Sequence, residues 1–453
     1  MPSERTANPA EHILIVGGGY VGMYTALRLQ RKLRGELRRG EVVITVIDPQ
    51  SYMTYQPFLP EAAAGNVEPR HVVVPLRKVL DRCRVLNGSV TRIEHAARRV
   101  TVRPAGTKTA GVPERHVGYD RLVVALGSIS RTLPVPGLAD CGIGFKTVEE
   151  AIFLRNHVLH QLDIAASNPD DKDVRRRALT FVFVGAGFAG VEAMAELEDM
   201  SRDACRWYPS IDPDELRWMM VEATDRILPE VGPEMGRWTA EALRARGIEV
   251  RLNTLLKSAE NRRIVLSDGE EFEAGTLVWT AGVKPHPVVG ASDLPLDDKG
   301  RIKTTTELTV EGVENAYAAG DNAAVPDIAG DAEFTAPNAQ HAVRQAKRLG
   351  DNIVADLRGK PRKPYAHRYA GSVASLGLRK GVANVYGIKL KGFPAWFMHR
   401  TYHLSRMPTV NRKLRITMDW TLAFFFRREI VSLGELESPR YEFELAAGRH
   451  QDV

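Results

Sequence analysis

Cysteine is scarce: 453 residues hold only Cys83, Cys141 and Cys205. None stands at a CxxC or CxxxxC spacing, which excludes a disulfide framework, a thiol redox pair and a cysteine zinc site. No metal site is expected. Long apolar runs are absent too, and none approaches the ~20 residues needed to span a bilayer, so any membrane contact is expected at a surface. Residues Met1 to Glu11 are polar and lack the apolar centre of a secretory leader, so a cytoplasmic location is expected. Charge is nearly balanced, at +6 overall, and no nucleic-acid partner is expected.

What is present is a phosphate-binding pattern. An apolar run, His12 to Val16, leads into Gly17-Gly18-Gly19-Tyr20-Val21-Gly22, then a helical stretch, then the apolar run Val42 to Asp48. This is a βαβ unit. Gly17 permits the tight turn, Gly19 lets backbone approach a pyrophosphate, and Gly22 lets helix and strand close together. The free N–H groups and positive dipole end of the helix suit the phosphates, and Asp48 can accept hydrogen bonds from a ribose.

The plan then repeats. Leu179 to Val184 precedes Gly185-Ala186-Gly187-Phe188-Ala189-Gly190, a helix from Val191 to about Met200, and a strand, Leu216 to Val221, ending at Glu222. Each copy continues through a strand containing Leu-Asn (Leu86-Asn87, Leu252-Asn253), a β-meander, and a strand ending in glycine (Gly127, Gly282). Matching meanders make an internal duplication, with one unit for a resident dinucleotide and one for a mobile dinucleotide. Ser167 to Arg177 reads as an exposed connection, and Ser51 to Glu61 as an aromatic, proline-rich loop, either packed or walling a cofactor pocket. The strand Asn315 to Asp321 returns the chain to the first unit.

The segments VGGGYVG, VVALGS, VGAGFAGVE, WTAGV and AYAAGDNA resemble the two-dinucleotide-binding-domain flavoproteins over about residues 11 to 370. The resemblance implies an α/β fold: two Rossmann-like domains with β-meander insertions. It implies FAD on Gly17, Gly19, Tyr20, Gly22, Asp48, Gln56, Gly127, Gly320, Asp321 and Ala339. It places NADH on Gly185, Gly187, Phe188, Gly190, Glu222, Ala281 and Gly282. Glu222 would bond a ribose 2′-OH and repel a 2′-phosphate, although the nearby Arg226 leaves NADPH open. Glu192 matches a glutamate near the nicotinamide, or is an acid favoured by a helix N-terminus.

Ala339-Gln340-His341-Ala342-Val343-Arg344-Gln345 looks like the AQxAxxQ segment of type II NADH:quinone oxidoreductases, with Ala346 where that family often has glycine. Gln340 would then lie where a quinone meets the flavin; a plain helix start capped by Asn338 is the other reading. His341 and His403 suggest no role beyond structure.

The resemblance divides the chain into 1–145 (FAD, first part), 146–295 (NADH), 296–375 (FAD, second part) and 376–453. In the last region, Trp396 to Arg428 carries seven arginine and lysine residues against one acid, Asp419, among many aromatics. Such a segment suits a membrane-associating region in the headgroup layer, drawn to anionic lipid, or a homodimer interface with a basic rim. The expectation is a non-pumping NADH:quinone oxidoreductase of the respiratory chain, a homodimer peripheral to the cytoplasmic face of the membrane, with a membrane quinone as partner. Two alternatives stand beside it: a soluble NADH-dependent reductase of another acceptor, and a redox-responsive binding flavoprotein.

Overall fold

The computed structural model describes residues 10–105, 113–330, 332–368 and 370–432. By its internal contacts the chain divides into two compact units, one of residues 1–55, 73–131 and 282–370, the other of 56–72, 132–281 and 371–453.

The first unit is built on a seven-stranded sheet. Its order is Ala316–Ala318, Arg121–Val124, Glu11–Val16, Val42–Asp48, Arg84–Glu94, Arg99–Pro104 and Arg115–Gly118. The first five strands are parallel and the last two antiparallel. Ile13, Leu14, Ile15 and Val16 are all fully buried, as a parallel strand covered on both faces requires. The helix Tyr20–Lys32 follows, with Val21, Met23, Thr25, Ala26 and Leu29 buried, and packs along the helix Ala339–Leu357. One glycine and one ion pair mark their contact. A Cβ on Gly350 would stand 2.8 Å from Arg28 Cγ, and the Arg28 guanidinium forks onto both oxygens of Asp351 at 2.8 Å each.

The second unit has a five-stranded parallel sheet, in the order Gly142–Ile143, Thr276–Trp279, Thr180–Val184, Arg217–Val221 and Glu249–Arg251. Thr180–Val184 is buried throughout, and Trp218 stacks on Phe181 with ring centroids 4.4 Å apart. The repeated order of strand, glycine turn, helix and acid-ended strand is present in both units, but the meanders differ. In the first unit Arg84–Glu94 is one eleven-residue strand that serves both the parallel sheet and the meander. In the second, Glu249–Arg251 stops short and Asn253 turns the chain in left-handed backbone, φ +51°. The meander Leu256–Ser258, Arg263–Leu266, Glu271–Glu273 is therefore a separate antiparallel sheet.

Two local expectations change. Within the stretch read as a connection, Lys172–Ala178 is helical. Asp171 accepts from the N–H groups of Asp173 and Val174, and Arg175, Arg176 and Arg177 fall in the last turn, so caps and charges agree with the helix dipole. The aromatic loop after Asp48 is a strand, Tyr52–Thr54, a 3-10 turn, Gln56–Phe58, and a short helix, Leu59–Ala63.

The second unit ends in a three-stranded antiparallel sheet, Gly371–Ser375, Gly381–Val385 and Ile388–Lys391, followed by helices Phe393–Arg406 and Val410–Phe426. No helix among the described residues is long and apolar enough to cross a membrane.

The Trp218 indole N–H is buried without a hydrogen-bond partner among the described residues. Trp218→Ala is expected to lower the unfolding free energy by about 3–5 kcal/mol in urea titrations followed by circular dichroism. Trp218→Phe, which keeps the stack and removes the unsatisfied donor, is expected to cost clearly less.

Candidate functional site

Each unit carries one glycine cradle, and the two are built alike. Gly17 adopts φ +101°, and a Cβ there would meet the Ala125 carbonyl oxygen at 2.2 Å; a Cβ on Gly22 would meet the Gly17 carbonyl oxygen at 1.7 Å. Both are glycine because helix, strand and turn touch through bare backbone. Gly19 differs: no atom lies within 4 Å of where its Cβ would be. It stands as N-cap of Tyr20–Lys32, with no side chain capping the helix and no acid in the first turn. That leaves open space over an uncapped, positive helix end, which fits a pyrophosphate.

The second cradle repeats this. Gly185 has φ +104°, with its Cβ position 2.7 Å from Ala281 N; a Cβ on Gly190 would meet the Gly185 carbonyl oxygen at 2.1 Å. Gly187 again has nothing within 4 Å and caps Phe188–Ala204 without a side-chain bond.

The strand-end acids match as closely. Asp48 accepts from the Gly18 N–H at 2.6 Å and the Gln50 N–H at 2.7 Å. Burial pushes its carboxyl above the usual range, opposed by those two bonds. Glu222 accepts from the Ala186 N–H at 2.7 Å, and from the Thr224 N–H and hydroxyl at 2.9 Å each. In both units the acid reaches back to the residue after the first glycine, locking turn and second strand together. Arg226 stands 3.5 Å from the carboxylate of Asp225.

Around the first cradle, Ser128 donates to Asp321 at 2.6 Å, and Gly127, at φ +64°, donates its N–H to Asn322 Oδ1 at 2.8 Å. Gly320, at φ +76°, donates to Gln345 Oε1 at 2.8 Å, and Gln345 Nε2 donates to Thr335. Ser128, Asn322, Thr335 and Gln345 were not singled out from sequence. Ser128, Asn322 and Gln345 stand inside motifs read from the sequence, but their partners lie 193, 195 and 25 residues away. Tyr20 faces Tyr55 with ring centroids 6.1 Å apart. Gln56 belongs to the second unit, where its Nε2 donates to the Lys146 carbonyl. Gly282, φ +86°, accepts from the Arg131 N–H.

Ala339 opens the helix Ala339–Leu357, with Asn338 as its N-cap accepting from the His341 N–H. Gln340 Oε1 accepts from the Ala370 N–H at 3.0 Å and lies 2.9 Å from His367 Nε2. His341 Nδ1 lies 2.9 Å from the Tyr365 hydroxyl. Burial, together with Arg344 and His341, pushes His367 down to about 4, so it is neutral near pH 7.

In the second unit Glu192 is buried, accepts from the Ser375 N–H at 2.8 Å, and lies 3.0 Å from His399 Nε2. That is a charge contact off the hydrogen-bond axis, since neither ring nitrogen of His399 is hydrogen-bonded among the described residues. Burial opposes charge on His399, but Glu192, Glu61 and Glu196 outweigh it and raise its pKa. Glu196 is pushed up to about 7 by burial, with Glu61 adding to the rise. Glu61 is 1% exposed and is held by the Arg400 guanidinium at 2.9 Å and the Trp420 indole N–H at 2.6 Å. Sequence reading missed this cluster because its members lie up to 359 residues apart.

The thiols are out of play. Burial pushes Cys83 up to about 12 and Cys205 up to about 11, and all three cysteines are unpaired.

Two open helix ends, each backed by an acid tied to its own glycine turn, define an oxidoreductase of the two-dinucleotide class. A family model described as pyridine nucleotide-disulphide oxidoreductase matches residues 8–346. The type II NADH:quinone oxidoreductase of Staphylococcus haemolyticus is 31% identical over 402 residues, covering 87% of this chain and 94% of that protein. The protein of the same name from Mycobacterium tuberculosis is 28% identical over 442 residues, covering 94% and 91%. Among solved structures, NDH2 from Plasmodium falciparum in complex with NADH superposes with a TM-score of 0.84 at 17% identity, covering 93% of this chain and 99% of that one. The chain belongs to the type II NADH:quinone oxidoreductase family.

Gly22→Ala forces a methyl onto the Gly17 carbonyl and is expected to lower stability by about 1–3 kcal/mol. Gly19→Ala, with open space and a negative φ, is expected to stay within about 0.5 kcal/mol of the parent in the same thermal-unfolding measurement. Arg400→Met strands the buried Glu61 carboxylate and is expected to cost about 3–5 kcal/mol in chemical denaturation, partly recovered when Glu61→Leu is added.

Proposed function

We propose that this chain is an NADH:quinone oxidoreductase that holds FAD on its first cradle and takes NADH on its second. The observation that carries the reading is the duplicated open helix end, at Gly19 and at Gly187, on one chain without a thiol pair. Two dinucleotides call for one resident and one exchanging group, and the family's relatives are named for a quinone acceptor. FAD, when bound, supplies the ability to take a hydride and release its electrons to that acceptor.

The protein's part is placement. The first-turn N–H groups of Tyr20–Lys32 and the bare backbone at Gly19 hold a pyrophosphate, and Asp48, oriented by Gly18 and Gln50, meets the adjoining ribose. Asp321, fixed by the Ser128 hydroxyl, and Gly127 and Gly320, fixed by Asn322 and Gln345, complete the FAD side. On the second cradle Glu222 is oriented by Ala186 and Thr224 for a ribose 2′-OH, and its charge disfavours a 2′-phosphate. Arg226, already facing Asp225, is the weaker competitor, so NADH is the donor.

Gln340 is the acceptor-side residue. Its amide oxygen is pinned by the Ala370 N–H and by neutral His367, in the tautomer that carries the proton on Nε2. That fixes which way the amide points toward a quinone carbonyl. Glu192, buried and tethered to Ser375, positions the nicotinamide side. The C-terminal helices associate with the cytoplasmic face of the membrane as a peripheral surface, where the quinone is drawn from the bilayer, and the enzyme works as a homodimer.

The purified protein is expected to carry flavin absorbance that NADH bleaches anaerobically and a short-chain quinone restores. A colourless protein, or flavin that stays oxidised with NADH, overturns the reading. Gln340→Leu is expected to slow reoxidation by quinone about tenfold or more while leaving bleaching by NADH nearly unchanged, as read by stopped-flow absorbance. The reverse pattern removes Gln340 from the acceptor site.

A further inference from the structure

A cavity of about 600 Å³ opens beside the two C-terminal helices of the second unit. Six arginines line it: Arg202, Arg206, Arg379, Arg400, Arg427 and Arg428. The two acids on its wall, Asp199 and Asp203, are already engaged, Asp199 by Arg246 at 2.8 Å and by the Leu378 N–H, Asp203 by Arg206. Arg202 is committed to Glu198 and Arg400 to Glu61. Arg379 and Arg427 have no acidic partner among the described residues, and Arg428 donates to the Glu196 backbone carbonyl at 3.3 Å with its charge acting on the Glu196 carboxyl. Two arginines without an acidic partner, Arg379 and Arg427, thus line one cavity and leave positive charge in excess there.

Two further observations bear on what that charge is for. Arg379 and Arg427 both sit in left-handed backbone, φ +61° and φ +66°, a conformation disfavoured for side chains larger than glycine. Finally, the helix Val410–Phe426 exposes Leu414, Met418, Leu422 and Phe425, four or three residues apart, as one apolar stripe, and the exposed Phe424 stands at the cavity itself. An anionic pocket ligand is indicated by the arginines. An acyl chain attached to it is indicated by the stripe.

We propose that this cavity binds the phosphodiester headgroup of an anionic phospholipid, with the acyl chains lying along the Leu414–Phe425 stripe. The proposal rests on the membrane-surface reading above and deepens it. The C-terminal region then recognises a headgroup at a defined site, in addition to any general attraction of its basic residues for a charged surface. Arginine suits this role because its planar fork matches two phosphate oxygens at once.

The test compares the full-length protein with two variants of equal charge loss: R379Q/R427Q inside the cavity, and K413Q/R415Q on the same helical hairpin outside it. Co-sedimentation uses vesicles of phosphatidylcholine alone and of phosphatidylcholine with phosphatidylglycerol. Short-chain phosphatidylglycerol, titrated below its micelle concentration, and inorganic phosphate are followed by calorimetry. R379Q/R427Q is expected to weaken binding to phosphatidylglycerol vesicles about tenfold more than K413Q/R415Q, and to abolish saturable one-to-one binding of the short-chain lipid. R379K/R427K, keeping the charge, is expected to recover part of it, with unchanged thermal unfolding in all variants. Equal losses in the two glutamine variants mean diffuse surface charge and overturn the proposal. So does inorganic phosphate binding as tightly as the short-chain lipid, or a change in the variant's oligomeric mass in place of lipid binding. Parent protein that sediments with no vesicle at all overturns the membrane reading instead.

Discussion

The carboxylate at the end of each second strand, hydrogen-bonded back to the turn after the first strand, is the constraint on which the architecture depends. Asp48 holds Gly18 and Glu222 holds Ala186, so each turn is tied on one side by a charge-assisted bond and on the other by glycine backbone in contact with backbone. With the turn fixed, the following helix must begin at Tyr20 or Phe188 with its first N–H groups uncapped. An uncapped helix end is normally a defect to be satisfied; in the proposed function it is the surface that meets a phosphate. The acid that braces each turn is also the group proposed to meet a ribose, which would put the structural and ligand roles on one side chain.

The duplication is faithful where a ligand is concerned and loose elsewhere. Glycine contacts, positive φ angles and acid tethers recur almost atom for atom, while the meanders depart from one another at Asn87 and Asn253. Asn87 continues a long strand, and Asn253 leaves the sheet through left-handed backbone, which asparagine tolerates better than most residues. A cradle that must meet a phosphate has little room for variation. A meander that need only cover a sheet has more.

The second unit also carries a buried polar network, in which Glu61, Glu192 and Glu196 are answered by Arg400, Trp420, Ser375, Asn66 and His399. Several of these groups come from the C-terminal sheet and helices. The region read as a membrane-facing appendage is therefore also part of the folding core of this unit: its Arg400 is paired with Glu61, while its His399 meets Glu192 by charge alone.

Sequence by itself determined both βαβ units, their order, the acids that end them, and the absence of thiol chemistry, because these follow from short-range patterns: apolar runs, glycine spacing and cysteine count. By resemblance it also proposed Gln340 and Glu192, without saying what holds them. Tertiary structure alone decided the rest. Asn322 on Gly127, Gln345 on Gly320, Glu61 on Arg400 and Trp420, and the arginines around one cavity are pairings between residues distant in the chain. No local pattern announces such pairs, since each partner looks like an ordinary polar residue until folding removes water and leaves only one group within reach.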